Sequence, residues 1–199
     1  MLKRNEMEIL MLYRKDIFLS KTIREISMML KKSYPKTFEA IKGLEKRAII
    51  KIKKAGKSSL CELNRESGTI PFMALAEYEN KKDLPYNAIE KIKIKSPFHC
   101  LIIGGSYAEG KQKPSSDLDI AVIIPNGENK RPYQTALKEG ELTIPKIHGF
   151  VFMQEEFQQM LINEEFNYGK ELARKHIILY GAEAYYKMLF EAAKHGFKG

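Results

Sequence analysis

The stretch CLIIGGSYAEG at residues 100–110, followed by SDLDIAVII at 116–124, decides how this chain is read. An apolar run ends in two glycines and a serine, and about ten residues later a second apolar run opens on two carboxylates. An apolar strand is expected from Cys100 into the glycine turn, and a second over 116–124 that opens on the two carboxylates. Successive side chains of a strand alternate faces, so Asp117 and Asp119 project to the same side, roughly 6–7 Å apart along the chain. Such a pair suits a small hard cation such as Mg2+, which takes carboxylate oxygens together with substrate phosphates. A glycine turn with exposed N–H groups and a hydroxyl, at Gly104, Gly105 and Ser106, is suited to the phosphates themselves. Taken singly, an Asp-x-Asp pair reads as a solvated face and a Gly-Gly-Ser as a plain turn. Together they deliver an anion cradle and a cation site to one edge of a sheet.

Those residues carry a resemblance. Gly105-Ser106-Tyr107-Ala108-Glu109-Gly110, six spacer residues and Asp117-Leu118-Asp119 resemble the signature of the minimal nucleotidyltransferases. That fold also includes relatives of DNA polymerase beta and of kanamycin nucleotidyltransferase. The resemblance runs from about Phe98 to the C-terminus. It implies a small mixed sheet flanked by helices, phosphate binding at the Gly105–Ser106 turn, and metal binding and catalysis at Asp117 and Asp119. It also implies Mg2+ and a nucleoside triphosphate, with ATP the first choice, and transfer of the monophosphate to a protein or nucleic-acid hydroxyl.

One departure stands out. The next apolar strand is read in 144–153, and the third carboxylate of the family pattern falls on His148. Histidine is a poor Mg2+ ligand, although neutral imidazole accepts a proton near pH 7. Glu139 and Glu141, in the preceding loop, are the carboxylates that could substitute. Two readings therefore stay open: an active transferase, and a regulator whose transferase site has decayed into a nucleotide sensor or a dimerisation surface.

Charge divides the chain. Residues 1–66 hold 17 Lys and Arg against 8 Asp and Glu, whereas 67–199 hold 17 of each, so the whole formal excess of +9 lies in the first third. A concentrated excess of this kind argues for one anion-binding module, and nucleic acid is the expected anion because neutralised phosphates release counterions. A first helix is expected in 5–13, and the Thr22-Ile23-Arg24-Glu25 capping box opens a second. Pro35 falls in the first turn of a third helix, with Phe38, Ile41 and Leu44 inward and Tyr34, Lys36, Thr37, Ala40 and Arg47 outward. Residues 49–63 then alternate about a basic tip as a hairpin. Three helices and a basic hairpin resemble a winged helix-turn-helix domain. The resemblance implies duplex-DNA contacts at Ser33, Tyr34, Lys36 and Thr37, with Lys53, Lys54 and Lys57 along the wing.

The expected organisation is therefore α+β, with a winged helix-turn-helix domain at 1–66, a helical connector at 67–97 and a nucleotidyltransferase domain at 98–199. The connector is read as helices over 72–82 and 84–95, and three covering helices are expected at 155–162, 168–180 and 182–194. Tyr185 and Tyr186 are read as packing residues. Cys61 and Cys100 lack metal-type spacing, and no signal peptide or apolar span of about 18 residues is visible, so a cytoplasmic chain with reduced thiols and no membrane contact is expected. A protein acceptor and a homodimer are both admitted by this reading.

Overall fold

A computed structural model describes residues 2–79, 84–94 and 96–199. The chain forms two compact units, one of residues 1–79 with 198–199 and the other of residues 80–197.

The N-terminal unit contains α1 (Arg4–Lys15), β1 (Ser20–Thr22), α2 (Ile23–Met29), α3 (Tyr34–Lys46), β2 (Ile50–Ala55), β3 (Ser58–Leu63) and α4 (Ile70–Tyr78). The capping box forms as expected: Glu25 N–H donates to the Thr22 hydroxyl, and Thr22 N–H donates to the Glu25 carboxylate. β2 and β3 make the basic hairpin, and β1 adds a third, antiparallel strand beside β3. Helix α1 packs on α3 and α4, where Ile9, Leu10, Ile41, Leu44 and Met73 are fully buried. The Tyr13 hydroxyl donates to the Cys61 carbonyl at 2.9 Å, joining α1 to the sheet.

Two buried carboxylates also organise this unit. Glu6 is 2 % exposed, accepts from Arg47 at 2.8 Å, and lies where a Cβ on Gly43 would overlap it. A mid-helix glycine costs roughly 1 kcal/mol relative to alanine, and here it admits the carboxylate against α3. Arg14 on α1 pairs with Glu77 on α4 at 2.8 Å, both buried. Helix α4, expected to belong to a connector, is thus part of the N-terminal unit.

The face of α3 differs from expectation. Thr37 and Ala40, expected outward, are buried with Ile41 and Leu44, while Phe38, expected inward, is 42 % exposed. Both sets satisfy helical spacing. The small residues Thr37 and Ala40 face the closely packed side, and the bulkier Phe38 turns out to stack on Tyr34 with ring centroids 6.1 Å apart.

Connector residues 80–83 and 95 lie outside the described residues. Around them, the helix expected over 72–82 runs Ile70–Tyr78, and that expected over 84–95 is only the short α5 (Tyr86–Ile89). Leu84 and Ala88 are buried in the second unit's core, with Ile89 and Ile92 packed against it.

The second unit continues with β4 (Cys100–Ile103), α6 (Gly105–Glu109), β5 (Leu118–Ile124), α7 (Arg131–Glu139), β6 (Ile147–Met153), α8 (Gln154–Ile162), α9 (Tyr168–Arg174), β7 (Ile177–Tyr180) and α10 (Ala182–Lys194). The sheet order is β6-β5-β4-β7, with β5 and β6 parallel and the other neighbours antiparallel. The parallel pair requires a crossover, which α7 supplies. Residues 120–124 of β5 are at most 1 % exposed, as expected of an inner strand covered on both faces. Leu118, Ile120, Val122 and Ile124 share a core with Tyr133 and Leu137 of α7. Gly149 lets α7 lie close to β6, since a Cβ there would come within 2.7 Å of Leu137 Cβ. Alternation turns Asp119, Ala121 and Ile123 to the opposite face, the side of α8–α10.

The single helix expected over 168–180 is instead α9 and the edge strand β7. Pairing of Ile177 and Ile178 with Ile103 and Ile102 of β4 overrides local helical pattern. Tyr185 and Tyr186 are fully buried in α10, in agreement with their reading as packing residues.

Candidate active site

Strands β4 and β5 are antiparallel neighbours, so the end of β4 meets the beginning of β5. Their ladder pairs Ile103 with Ile120, and the Gly104 N–H donates to the Asp119 carbonyl at 3.0 Å. This backbone bond places the glycine turn directly beside the Asp-x-Asp strand. Gly105 has φ of +57°, the left-handed region that glycine enters without penalty. A Cβ at this position would overlap Asp119 Oδ2 and come within 3.0 Å of its Cγ. Glycine is therefore required twice: for its backbone angle and to seat the carboxylate.

Asp119 keeps 29 % of its side chain exposed, and Asp117, just before β5, is exposed. Ser106 is half-buried in the first turn of α6. The turn and the two aspartates thus gather at one edge of the sheet. Helix α6 is tied down at its other end: Glu109 binds Lys111 at 2.9 Å and pairs with Lys175. These lysines hold the Glu109 carboxyl well below the ordinary range, at about 2, with the Lys175 hydrogen bond the larger cause.

His148 stands opposite Asp119 in the β5–β6 register. Its Nδ1 lies 3.3 Å from Asp119 Oδ1, and its ring is 61 % exposed. The position expected to carry a third carboxylate therefore presents an imidazole to the second aspartate. Among the described residues, no group of three or more His, Cys, Asp or Glu side chains is arranged to hold a metal ion. Glu139 lines a cavity of about 740 Å³ on the α7 side, with Lys93, Arg131 and Tyr133, and neither it nor Glu141 completes a third-carboxylate set with the aspartates. Asp117 and Asp119 remain the carboxylate donors, a set of the kind that suits Mg2+, which characteristically takes one or two carboxylates and keeps water or phosphate in its other positions.

Aromatic rings extend from His148 along the same face of β6. Phe150 lies 4.6 Å from the His148 ring and 6.3 Å from Phe152, and Tyr168 packs on Phe150 at 4.7 Å. The Tyr168 hydroxyl comes close to the glycine turn, 3.2 Å from where a Cβ on Gly104 would stand. Tyr168 was not singled out by the sequence, where it reads only as the first residue of a helix. The alternating aromatics at 148, 150 and 152 were the available signal that one face of this strand is covered by another ring.

The positions proposed for nucleic acid lie elsewhere, in the N-terminal unit. Ser33, Tyr34 and Lys36 are exposed at the start of α3, and Lys53, Lys54 and Lys57 are exposed on the hairpin. Thr37 is not available: it is 1 % exposed, and its hydroxyl donates to the Ser33 carbonyl at 3.1 Å. Lys42 Nζ sits 5.9 Å from the Phe38 ring, so the outer face of α3 combines aromatic and basic groups.

The two cysteines are buried and unpaired. Burial is the first cause that pushes their thiols up, Cys61 to about 11 and Cys100 to about 12, which leaves both protonated and poorly nucleophilic. No helix among the described residues is long and apolar enough to cross a membrane.

The family model of the nucleotidyltransferase domain matches residues 89–179, which contain the glycine turn, both aspartates and His148. The match supports nucleotidyl transfer as the general activity of this part of the chain, and the mixed α+β unit is consistent with that fold. No curated protein and no solved structure matches the chain.

Proposed function

We propose that the second unit transfers a nucleoside monophosphate from a nucleoside triphosphate, ATP first, to a hydroxyl of a protein or nucleic acid. The observation that carries this reading is the seating of Asp119 against Gly105, which joins a phosphate-binding turn to a pair of carboxylates at one sheet edge. In this reading Gly104, Gly105 and Ser106 bind the phosphates, while Asp117 and Asp119 hold Mg2+. When bound, the cation supplies neutralisation of the negative charge that develops on the phosphate oxygens. The chain's own residues hold the triphosphate still, so that the acceptor oxygen and the departing pyrophosphate stand in line. The acceptor hydroxyl forms the new P–O bond as the bond to pyrophosphate breaks. The exposed His148 imidazole is the base available for the hydroxyl proton.

The same reading assigns duplex-DNA binding to the N-terminal unit, as a winged helix-turn-helix module, with Ser33, Tyr34 and Lys36 at the head of α3 and Lys53, Lys54 and Lys57 along the wing. The concentration of the whole net charge in residues 1–66 supports it. Binding of this kind would localise the transferase or couple its activity to nucleic acid.

A second reading is favoured by one specific observation, the His148–Asp119 contact at the third-carboxylate position. Under it, the protein is a DNA-binding regulator that senses nucleotide without transferring it. Incubation with Mg2+ and each α-labelled nucleoside triphosphate, with nucleic acid and cell protein as acceptors, separates the two. Covalent label abolished by Asp117→Ala supports the transferase. Nucleotide binding with no label on any acceptor supports the sensor.

A further inference from the structure

The Tyr168 side chain is held rigidly and left unsatisfied. Its helix is capped by Asn167, whose side chain accepts the Lys170 N–H at 3.2 Å, and its ring packs between Phe150 at 4.7 Å and Phe152 at 6.0 Å. The hydroxyl is buried and has no hydrogen-bond partner among the described residues. Buried polar groups are nearly always paired, so an exception of this kind asks for a role.

Its surroundings name the partner. The hydroxyl lies against Gly104 and the Asp119 carboxylate against Gly105, so the two groups approach consecutive residues of one turn. Tyr168 is thus a donor without an acceptor, beside an acceptor that now gives one oxygen to His148.

Resting on the metal–nucleotide reading of this site, we propose that Tyr168 is a positioning residue for Asp119. In the loaded site its phenol donates to the Asp119 carboxylate, fixing that group against Gly105 while the other oxygen faces the cation. The unsatisfied hydroxyl of the free protein is then the cost of a preformed second anchor. The imidazole is free to leave Asp119 without the carboxylate losing its orientation. This also accounts for Gly104, where a side chain would press on the Tyr168 hydroxyl and on Leu172 Cδ2 at 3.0 Å.

The test is Tyr168→Phe in the full chain, read by thermal melting without ligand and by calorimetric binding of Mg2+ with a non-hydrolysable ATP analogue. The proposal expects melting at or above the parent temperature, because an unpaired buried hydroxyl is removed, together with binding weakened about tenfold, the scale of a hydrogen bond to a charged group. Unchanged affinity in the variant overturns the proposal and leaves the nucleotide reading standing. Absence of Mg2+-dependent binding in the parent protein overturns both. Should the phenylalanine variant fail to fold, 3-fluorotyrosine at this position keeps the phenol. Its fluorine resonance is expected to shift when Mg2+ and the analogue are added, and a resonance that does not move overturns the proposal.

Discussion

Replacing Gly105 by alanine perturbs the site in two separable ways. The residue sits at φ +57°, so a side chain there costs on the order of 1 kcal/mol in backbone strain. In a unit of this size that corresponds to a fall in melting temperature of about 4 °C. The added Cβ also overlaps Asp119 Oδ2. Because that oxygen ends a rotatable and partly exposed side chain, the overlap is relieved by turning the carboxylate away, which costs little stability. It is expensive in function if Asp119 holds the cation as proposed, since a catalytic group displaced by about 1 Å costs on the order of 100-fold in rate. Gly127→Ala provides the control. It has φ +79° and nothing lies within 4 Å of where its Cβ would stand, so it carries the backbone cost alone. Melting curves and label-transfer rates should therefore show two variants destabilised alike, with transfer lost only in Gly105→Ala. Equal transfer by both variants would refute the idea that Asp119 works from its seat against Gly105.

Other expectations follow from individual contacts. Glu109 has its folded carboxyl depressed to about 2 from an ordinary 4.5, so its pairing stabilises the fold above pH about 4.5 and the contribution is lost as pH falls toward 2. Urea midpoints measured across that window should fall less steeply for Glu109→Gln than for the parent. On α3, Thr37→Ala should cost about 1 kcal/mol of stability through its lost bond to Ser33 and leave DNA affinity unchanged, as read by melting and by anisotropy. In the same binding assay, Lys36→Glu with Lys54→Glu should flatten the log K against log salt slope by about 2 if each lysine meets a phosphate. At the third-carboxylate position, His148→Phe should lower Mg2+-dependent transfer, as read by label-transfer rates, because it removes the imidazole that takes the hydroxyl proton. An unchanged rate would contradict that role.

The features legible in the sequence were those whose information is local. The Thr22–Glu25 capping box, the basic hairpin and the placement of the glycine turn beside Asp119 each follow from spacing over a few residues or two adjacent strands. What escaped was set by partners distant in sequence. The inward face of α3 is chosen by how closely its neighbours approach, so Thr37 and Ala40 are buried and Phe38 is not. Residues 177–180 become a strand because β4 needs a neighbour at that edge, although their local pattern continues the helix before them. β1, three residues long, exists only through its pairing with β3. Tyr168 was invisible for the same reason: its hydroxyl meets Gly104 across more than sixty positions of chain.

The central claim is that one sheet edge holds a metal-bound nucleotide. A crystal structure of the protein with Mg2+ and a non-hydrolysable ATP analogue tests it most directly. Triphosphate oxygens are expected against Gly105 and Ser106, with the cation bound by Asp117 and Asp119. Nucleotide bound elsewhere, as in the cavity lined by Lys93 and Arg131, or a cation that avoids both aspartates, would contradict it.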